Sequence, residues 1–342
     1  MSSTDPLRRG RAFRGLPAPL VLLTVLLLAL MVASLMFGST KVPVEAIYAG
    51  LRHPDLSDPD QLVIATLRWP RTVVAVVAGV ALGVAGVLMQ ALTRNPLAEP
   101  GILGVNSGAA AGVVATMTFL PALDVRGQLA AAFVGAAVAG GIVLVGGGVF
   151  THDSDPVRLV LAGVATAAVL GSFSSFLVIS NPQVFQSFRH WDAGAVNARP
   201  WPLIVAGAVL IAAASVLAVA LASSLDALAL GTEAGKAVGA HPGRTWAGSG
   251  LAVVVLAGTA TALTGPVVLL GLLAPVAARA WLGPSVVRLL PVAALIGPVV
   301  LLFADIVGRL VIPPAEVHAS VVCAAMGAVV FVAIARRGRL RG

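Results

Sequence analysis

The chain has 342 residues, of which 58% are hydrophobic and 11% charged. Its mean hydropathy of +1.00 excludes an ordinary soluble domain and indicates an integral membrane protein. The net charge of +8 does not argue for nucleic-acid binding, because basic residues gather at the ends, as Arg8, Arg9, Arg11, Arg14 and Arg336, Arg337, Arg339, Arg341.

The first apolar run, 16–37, follows a basic segment. It is long for a signal-peptide core and has no small-x-small exit, so it is expected to be an uncleaved first span behind a cytoplasmic basic tail, 1–15. Further apolar runs predict spans near 70–92, 100–120, 128–149, 158–180, 201–222, 244–263, 265–281, 289–310 and 317–335. Each is about the length that crosses the hydrocarbon core as a helix. Strand-like alternation is absent, so the expected fold is all-α, a polytopic bundle of about ten transmembrane helices in one domain, 1–342. An even count puts both basic termini in the cytoplasm. The stretches 38–69, 121–127, 181–200 and 311–316 then face outward, and 93–99, 150–157, 223–243 and 282–288 face inward. Gly265-Pro266 and Ala274-Pro275 interrupt the eighth run, which therefore reads as two short pieces buried against protein.

Fourteen Asp and Glu are present, and nearly all fall between spans, as in Asp58, Asp60, Asp153, Asp155 and Asp226. Only Asp305 is expected inside one, where Arg309 at i+4 offers a partner. A pump driven by an ion gradient usually keeps acids inside its bundle. This chain is expected either to move its cargo passively or to take energy from a partner. Gly79 and Gly83, and Gly104, Gly108 and Gly112, form small-residue rows that let helices approach closely. They mark either packing within the bundle, the favoured reading, or a dimer interface.

Two polar stretches stand out. The outward Phe188-Arg189-His190-Trp191-Asp192-Ala193-Gly194 mixes aromatic and charged groups, as a docking surface does, although Trp191 and Trp201 also suit interfacial anchors. The inward 225–240 is amphipathic at helical spacing and predicts a short helix across the inner face. That helix either caps the bundle or is gripped by a cytoplasmic partner.

Other patterns carry little chemistry. Gly231-Thr232-Glu233-Ala234-Gly235-Lys236 is one residue short of a phosphate loop and lacks a Ser or Thr after the Lys. His53, His152, His190, His241 and His318 are scattered without metal-ligand spacing, so neither metal nor cofactor is expected. Ser107 has no base nearby in sequence. Cys323 is alone, which excludes an intrachain disulfide.

Longer motifs are specific. Arg68-Trp69-Pro70-Arg71, Met89-Gln90 and Asn95-Pro96-Leu97-Ala98-Glu99-Pro100-Gly101-Ile102-Leu103-Gly104 resemble the permease subunits of the FecCD family. So do Leu161-Ala162-Gly163-Val164, Trp191-Asp192-Ala193-Gly194, Leu228-Ala229-Leu230-Gly231-Thr232-Glu233-Ala234 with Val238-Gly239, and Asp305 to Arg309 with Glu316. The resemblance covers essentially the whole chain, in order. It implies the type II fold of bacterial ABC importers for iron–siderophores, haem or vitamin B12. It also implies a second permease subunit, identical or not, and lipid around both. Energy would come from a separate ABC ATPase subunit, and a substrate-binding protein would dock from outside.

Residue by residue, the resemblance implies that Arg68, Arg71 and Arg309 pair with acidic residues of the binding protein, which suits the planar fork of Arg; each also fits a snorkelling anchor. It implies that Leu230, Gly231, Glu233, Ala234, Val238 and Gly239 belong to the segment that couples to the ATPase. Asn95, Pro96, Leu97, Ala98, Pro100 and Gly101 belong to its cytoplasmic-loop motif. Three places depart from the family pattern. Pro275 is followed by Val276 rather than His, with Arg279 retained. Glu316-Val317-His318-Ala319-Ser320 replaces Glu-x-Pro-Val-Gly. Asp155-Pro156-Val157-Arg158 precedes the fifth span, where small polar gate residues are usual.

The resulting expectation is a non-enzymatic pore subunit of an ATP-driven importer in the plasma or inner membrane, working by alternating access between two permease copies or paralogues. A ferric siderophore is the expected cargo, with haem and vitamin B12 as alternatives. The rival is a stand-alone secondary transporter.

Overall fold

The computed structural model describes residues 17–38, 42–52, 54–55, 57–148, 156–313 and 315–339. Arg8, Arg9, Arg11, Arg14, Arg341, His53, His152, Asp153 and Asp155 lie outside them, and for Arg336, Arg337 and Arg339 the backbone alone is described. In chain order the helices are α1 (Pro17–Met36), α2 (Val44–Arg52), α3 (Pro59–Val63), α4 (Trp69–Thr93), α5 (Val105–Phe119), α6 (Val125–Gly146), α7 (Pro156–Ser180), α8 (Pro182–Asp192), α9 (Trp201–Ala229), α10 (Thr232–Ala237), α11 (Pro242–Thr264), α12 (Leu270–Leu282), α13 (Val286–Val311) and α14 (Ala319–Arg339). Seven helical stretches are long and apolar enough to cross a membrane, including Pro59–Thr93 and Val286–Val311. Shorter apolar helices, Val105–Phe119, Leu270–Leu282 and Ala319–Val332, occupy the other three expected spans.

Local chemistry sets many of the helix ends. Proline stands in the first turn of α3, α4, α8, α9 and α11, where its missing N–H costs no hydrogen bond. Gly265 and Gly283 end α11 and α12 with φ of 72° and 76°, a left-handed region glycine enters without a Cβ clash.

The core is built around α4 and α11. In their most apolar windows 78% of residues are buried, against 17% in α7, whose face is left to lipid or another chain. The small-residue rows pack inside the bundle. A methyl added at Gly79 or Gly83 would run into the backbone of Gly297, Pro298 or Ala293 on α13. Gly108 and Gly112 meet the carbonyls of Gly135 and Ala131 on α6 in the same way. Gly104 instead turns the chain into α5 at φ 71°.

Four expectations change. The outward stretch 38–69 holds α2, α3 and a π-helical turn, Ile64–Arg68, that runs straight into α4. The outward stretch 181–200 holds α8, capped by the Asn181 side chain on the N–H groups of Gln183 and Val184. The inner stretch 225–240 is not one helix. Helix α9 continues to Ala229, and Gly231, at φ 114°, breaks it from the six-residue α10. The eighth run becomes helical only at Leu270, after a non-helical 265–269 in which Leu269 takes a φ of 66°.

Candidate functional site

Arg68, Arg71, Asp305, Arg309 and Glu316 form one charged cluster at the C-terminal ends of α1 and α13. The π turn brings Arg68 round to the last turn of α1, where Nη1 donates to the carbonyls of Leu35 at 2.6 Å and Met36 at 3.1 Å. Arg309 reaches the same helix end from α13. Its Nη1 donates to the carbonyls of Ser34 and Phe37, both at 3.0 Å, and its Nη2 to Ser34 Oγ at 2.8 Å. The final carbonyls of a helix have no partners within it and carry partial negative charge. Two guanidinium groups therefore cap α1, and both arginines are buried, Arg68 at 5% and Arg309 at 3% exposure. The approach is close enough that a Cβ on Gly38 would strike the Arg68 guanidinium.

Arg71 lies beside them and is more open. It donates through Nε and Nη2 to Asp305 Oδ1, at 3.1 and 2.7 Å, and through Nη2 to Glu316 Oε2 at 2.8 Å. Asp305 also pairs with Arg309 at 2.9 Å, the expected i, i+4 contact. The donor direction there misses Oδ2, so that oxygen gains charge attraction but no hydrogen bond. A cavity of about 100 Å³ opens above the cluster, lined by Gly38, Val63, Leu67, Arg68, Arg71, Arg309 and Glu316. Three guanidinium groups against two carboxylates leave it cationic. Sequence reasoning found these three arginines. It did not find that two of them are tied to α1, because contacts more than thirty residues away in the chain leave no local pattern.

After α9, the short helix α10 is exposed. Glu233 and Lys236 pair at 2.8 Å with side chains 87% and 52% exposed. Leu230 and Val238 flank them at 79% and 71% exposure. Leu228 and Gly235 face inward and are buried. Ala234 lies on the same short helix, and Gly239, at φ 90°, closes it. Next to this segment the motif 95–101 makes a tight turn. Asn95 Oδ1 accepts the Leu97 N–H at 2.9 Å, Ala98 is buried, and Arg94 Nη2 donates to the Leu228 carbonyl at 3.2 Å. Pro96 sits in that turn, and Pro100 and Gly101 open a 3-10 turn into α5.

Glu99 corrects the acid census. Its carboxylate accepts the Leu269 N–H at 2.7 Å, which joins the 95–101 motif to the broken start of α12. Burial holds this carboxyl above its ordinary range, and the Leu269 N–H pulls it down. It read as an inward loop residue because nothing local showed that the non-helical 265–269 comes back to meet it. Nearby, Arg279 on α12 donates to Gln90 Oε1 on α4 at 3.0 Å, so the Met89-Gln90 motif and the retained Arg279 serve one contact.

Among the described residues the chain is a helical bundle with seven stretches long and apolar enough to cross a membrane, a cationic cluster at one end of α13 and an exposed short helix, α10, after α9, which fits a membrane transport protein. The chain belongs to the FecCD transport family, whose profile matches residues 26–337. It is 39% identical to the ferric enterobactin transport system permease protein FepD of Escherichia coli, over 98% of each chain. It is 36% identical to the siderophore transport system permease protein YfiZ of Bacillus subtilis, over 93% of this chain and 96% of that one. A solved metal-chelate type ABC transporter in an inward-facing conformation matches with a TM-score of 0.80 at 25% identity, covering 94% of this chain and 99% of that one. The protein is a membrane-embedded permease subunit of an ABC importer and not an enzyme. Its family works with an ATPase, a substrate-binding protein and a second permease subunit.

Proposed function

We propose that this permease imports ferric siderophores, with the path between two permease subunits opening alternately to each face. The observation that carries the cargo is the 39% identity over nearly the full length with a ferric enterobactin permease. A path with few embedded charges suits a bulky chelate that must not be held tightly. We further propose that both termini are cytoplasmic, that the inner segment Leu230, Gly231, Glu233, Ala234, Val238 and Gly239 meets the ATPase, and that the binding protein docks over Arg71 and Glu316. Arg68 and Arg309 supply positive potential to that surface from their buried positions. Support comes from the exposure of Leu230 and Val238 and from the cationic cavity. Exchange of one carboxylate suits the docking step, because Arg71 holds Glu316 through a single Nη2 bond while Nε and Nη2 both stay on Asp305, so Glu316 can give way to an incoming acid.

The test is uptake into vesicles holding the permease with its ATPase and binding protein, using radiolabelled iron as catecholate, hydroxamate and citrate chelates beside haem and cobalamin. Uptake of one or more ferric siderophores, with haem and cobalamin excluded, is expected. Uptake of cobalamin or haem alone overturns the cargo assignment.

A further inference from the structure

Asp226 spends its whole carboxylate on the start of another helix. It sits in the last turn of α9, four residues before the exposed Leu230. Its Oδ1 accepts the Val286 N–H at 2.6 Å. Its Oδ2 accepts the Ser285 hydroxyl at 2.7 Å and the Val287 N–H at 3.4 Å. Ser285 is the residue that should cap α13, yet its own side chain makes no capping bond to that helix. The N-terminus of α13 is therefore capped from α9, with a carboxylate at the positive end of the helix dipole.

What lies at the other end of α13 gives this contact a consequence. About nineteen residues on, at 1.5 Å rise per residue, the helix reaches Asp305 and then Arg309, roughly 28 Å away. Along that length it is locked to α4 through Gly79 and Gly83, where backbone meets backbone. Helix α4 brings Arg71 to Asp305 outside and, just past its inner end, Arg94 to the Leu228 carbonyl. The α4–α13 pair thus spans from the outer cluster to the segment before α10, and that segment is fastened to both members. Both fasteners are charge-assisted, but Asp226 makes three bonds, two of them at 2.6 and 2.7 Å, against the single Arg94 bond at 3.2 Å, so Asp226 is the stronger of the two.

We propose that Asp226 is a positioning residue that passes movement of the ATPase-facing segment into α13, and so to the outer arginine cluster. This rests on the reading that segment 230–239 meets the ATPase.

The test uses the full complex in vesicles and reads chelate delivered per ATP hydrolysed, with co-purification of the ATPase as a separate readout. Asp226→Ala is expected to keep the ATPase bound and hydrolysing while delivery per ATP falls about tenfold or more, as loss of a charge-assisted bond permits. Asp226→Asn keeps an acceptor for the Val286 N–H and is expected to restore most of the delivery. Ser285→Ala removes one bond only, leaves the fold least disturbed, and is expected to give a smaller loss in the same ratio. Unchanged delivery per ATP in both alanine variants overturns the proposal. So does a loss of delivery and hydrolysis in equal proportion that Asn does not rescue, since that marks a purely structural role. A Leu230→Ser/Val238→Ser double variant tests the underlying reading separately. If it leaves ATPase binding intact, the segment is not the grip, whatever Asp226 does.

Discussion

Asp305 and Glu316 share Arg71 but differ in burial, and the difference sets what each is worth. The Asp305 side chain is 1% exposed and that of Arg309 3%. Removing one partner of a buried pair leaves an uncompensated charge and costs about 3–5 kcal/mol. Asp305→Asn is therefore expected to lower the melting temperature of the purified permease markedly and to loosen α1, which Arg309 caps. Glu316 is 36% exposed, and an exposed pair contributes about 0–1 kcal/mol. Glu316→Gln should leave the melting temperature almost unmoved while changing binding-protein affinity; differential scanning fluorimetry and a pull-down separate the two. If Glu316→Gln destabilises as much as Asp305→Asn, the burial argument is wrong. Glu99 gives a third case. Glu99→Gln keeps an acceptor for the Leu269 N–H, whereas Glu99→Leu strands a part-buried donor at about 1 kcal/mol or more, so the melting temperature should fall only for the second. The sequence made Asp305–Arg309 legible because i, i+4 spacing is local. Glu99 and Asp226 were read as loop acids because their partners lie 170 and about 60 residues away.

Among the elements, the contact between α4 and α13 decides how the bundle is held. Helix association in lipid relies on close packing more than on expelling water, and Gly79 and Gly83 permit backbone contact that no larger residue allows. Gly83→Leu should force the helices apart, costing about 1–3 kcal/mol or more, and abolish uptake. Gly141→Ala is the control, since a methyl there meets nothing within 4 Å; its melting temperature should hold or rise slightly. Comparable losses in both would show that the α4–α13 contact is not special. Span positions were legible because apolar runs of membrane-crossing length are written continuously in the chain. The small-residue rows correctly signalled helix packing, but no local pattern could say which helix lay opposite. The amphipathic 225–240 signalled its inner helix and misplaced its start, because hydrophobic periodicity runs unbroken through Leu225–Ala229 and only the φ of 114° at Gly231 separates span from surface helix. Likewise α8 hid in an outward stretch whose mixed aromatic and charged residues looked like a loop surface. Its Trp191 instead stacks on Phe188 at 5.9 Å and packs against the core.

For the whole molecule the question is where the work comes from. A carrier driven by protons needs an acid in its path that can gain and lose a proton as the path opens to each side. Among the described residues the acids that enter the bundle are Glu99 and Asp305. Glu99 is bonded to a main-chain N–H, and Asp305 lies between two guanidinium groups. Both acids are engaged by partners, which fits force that enters through a surface. Leu230 and Val238 beside α10 are exposed, and in the proposed function they are the apolar knobs that meet the ATPase. Uptake in vesicles loaded with ATP should therefore continue when a protonophore dissipates the gradient. It should stop when the ATPase is omitted or its hydrolysis is blocked, and replacing Leu230 and Val238 with Ser should lower it by weakening that contact. Uptake that survives without the ATPase and collapses with the proton gradient would mean that one of these carboxylates does cycle. Glu99, held by a single N–H, would be the first to replace.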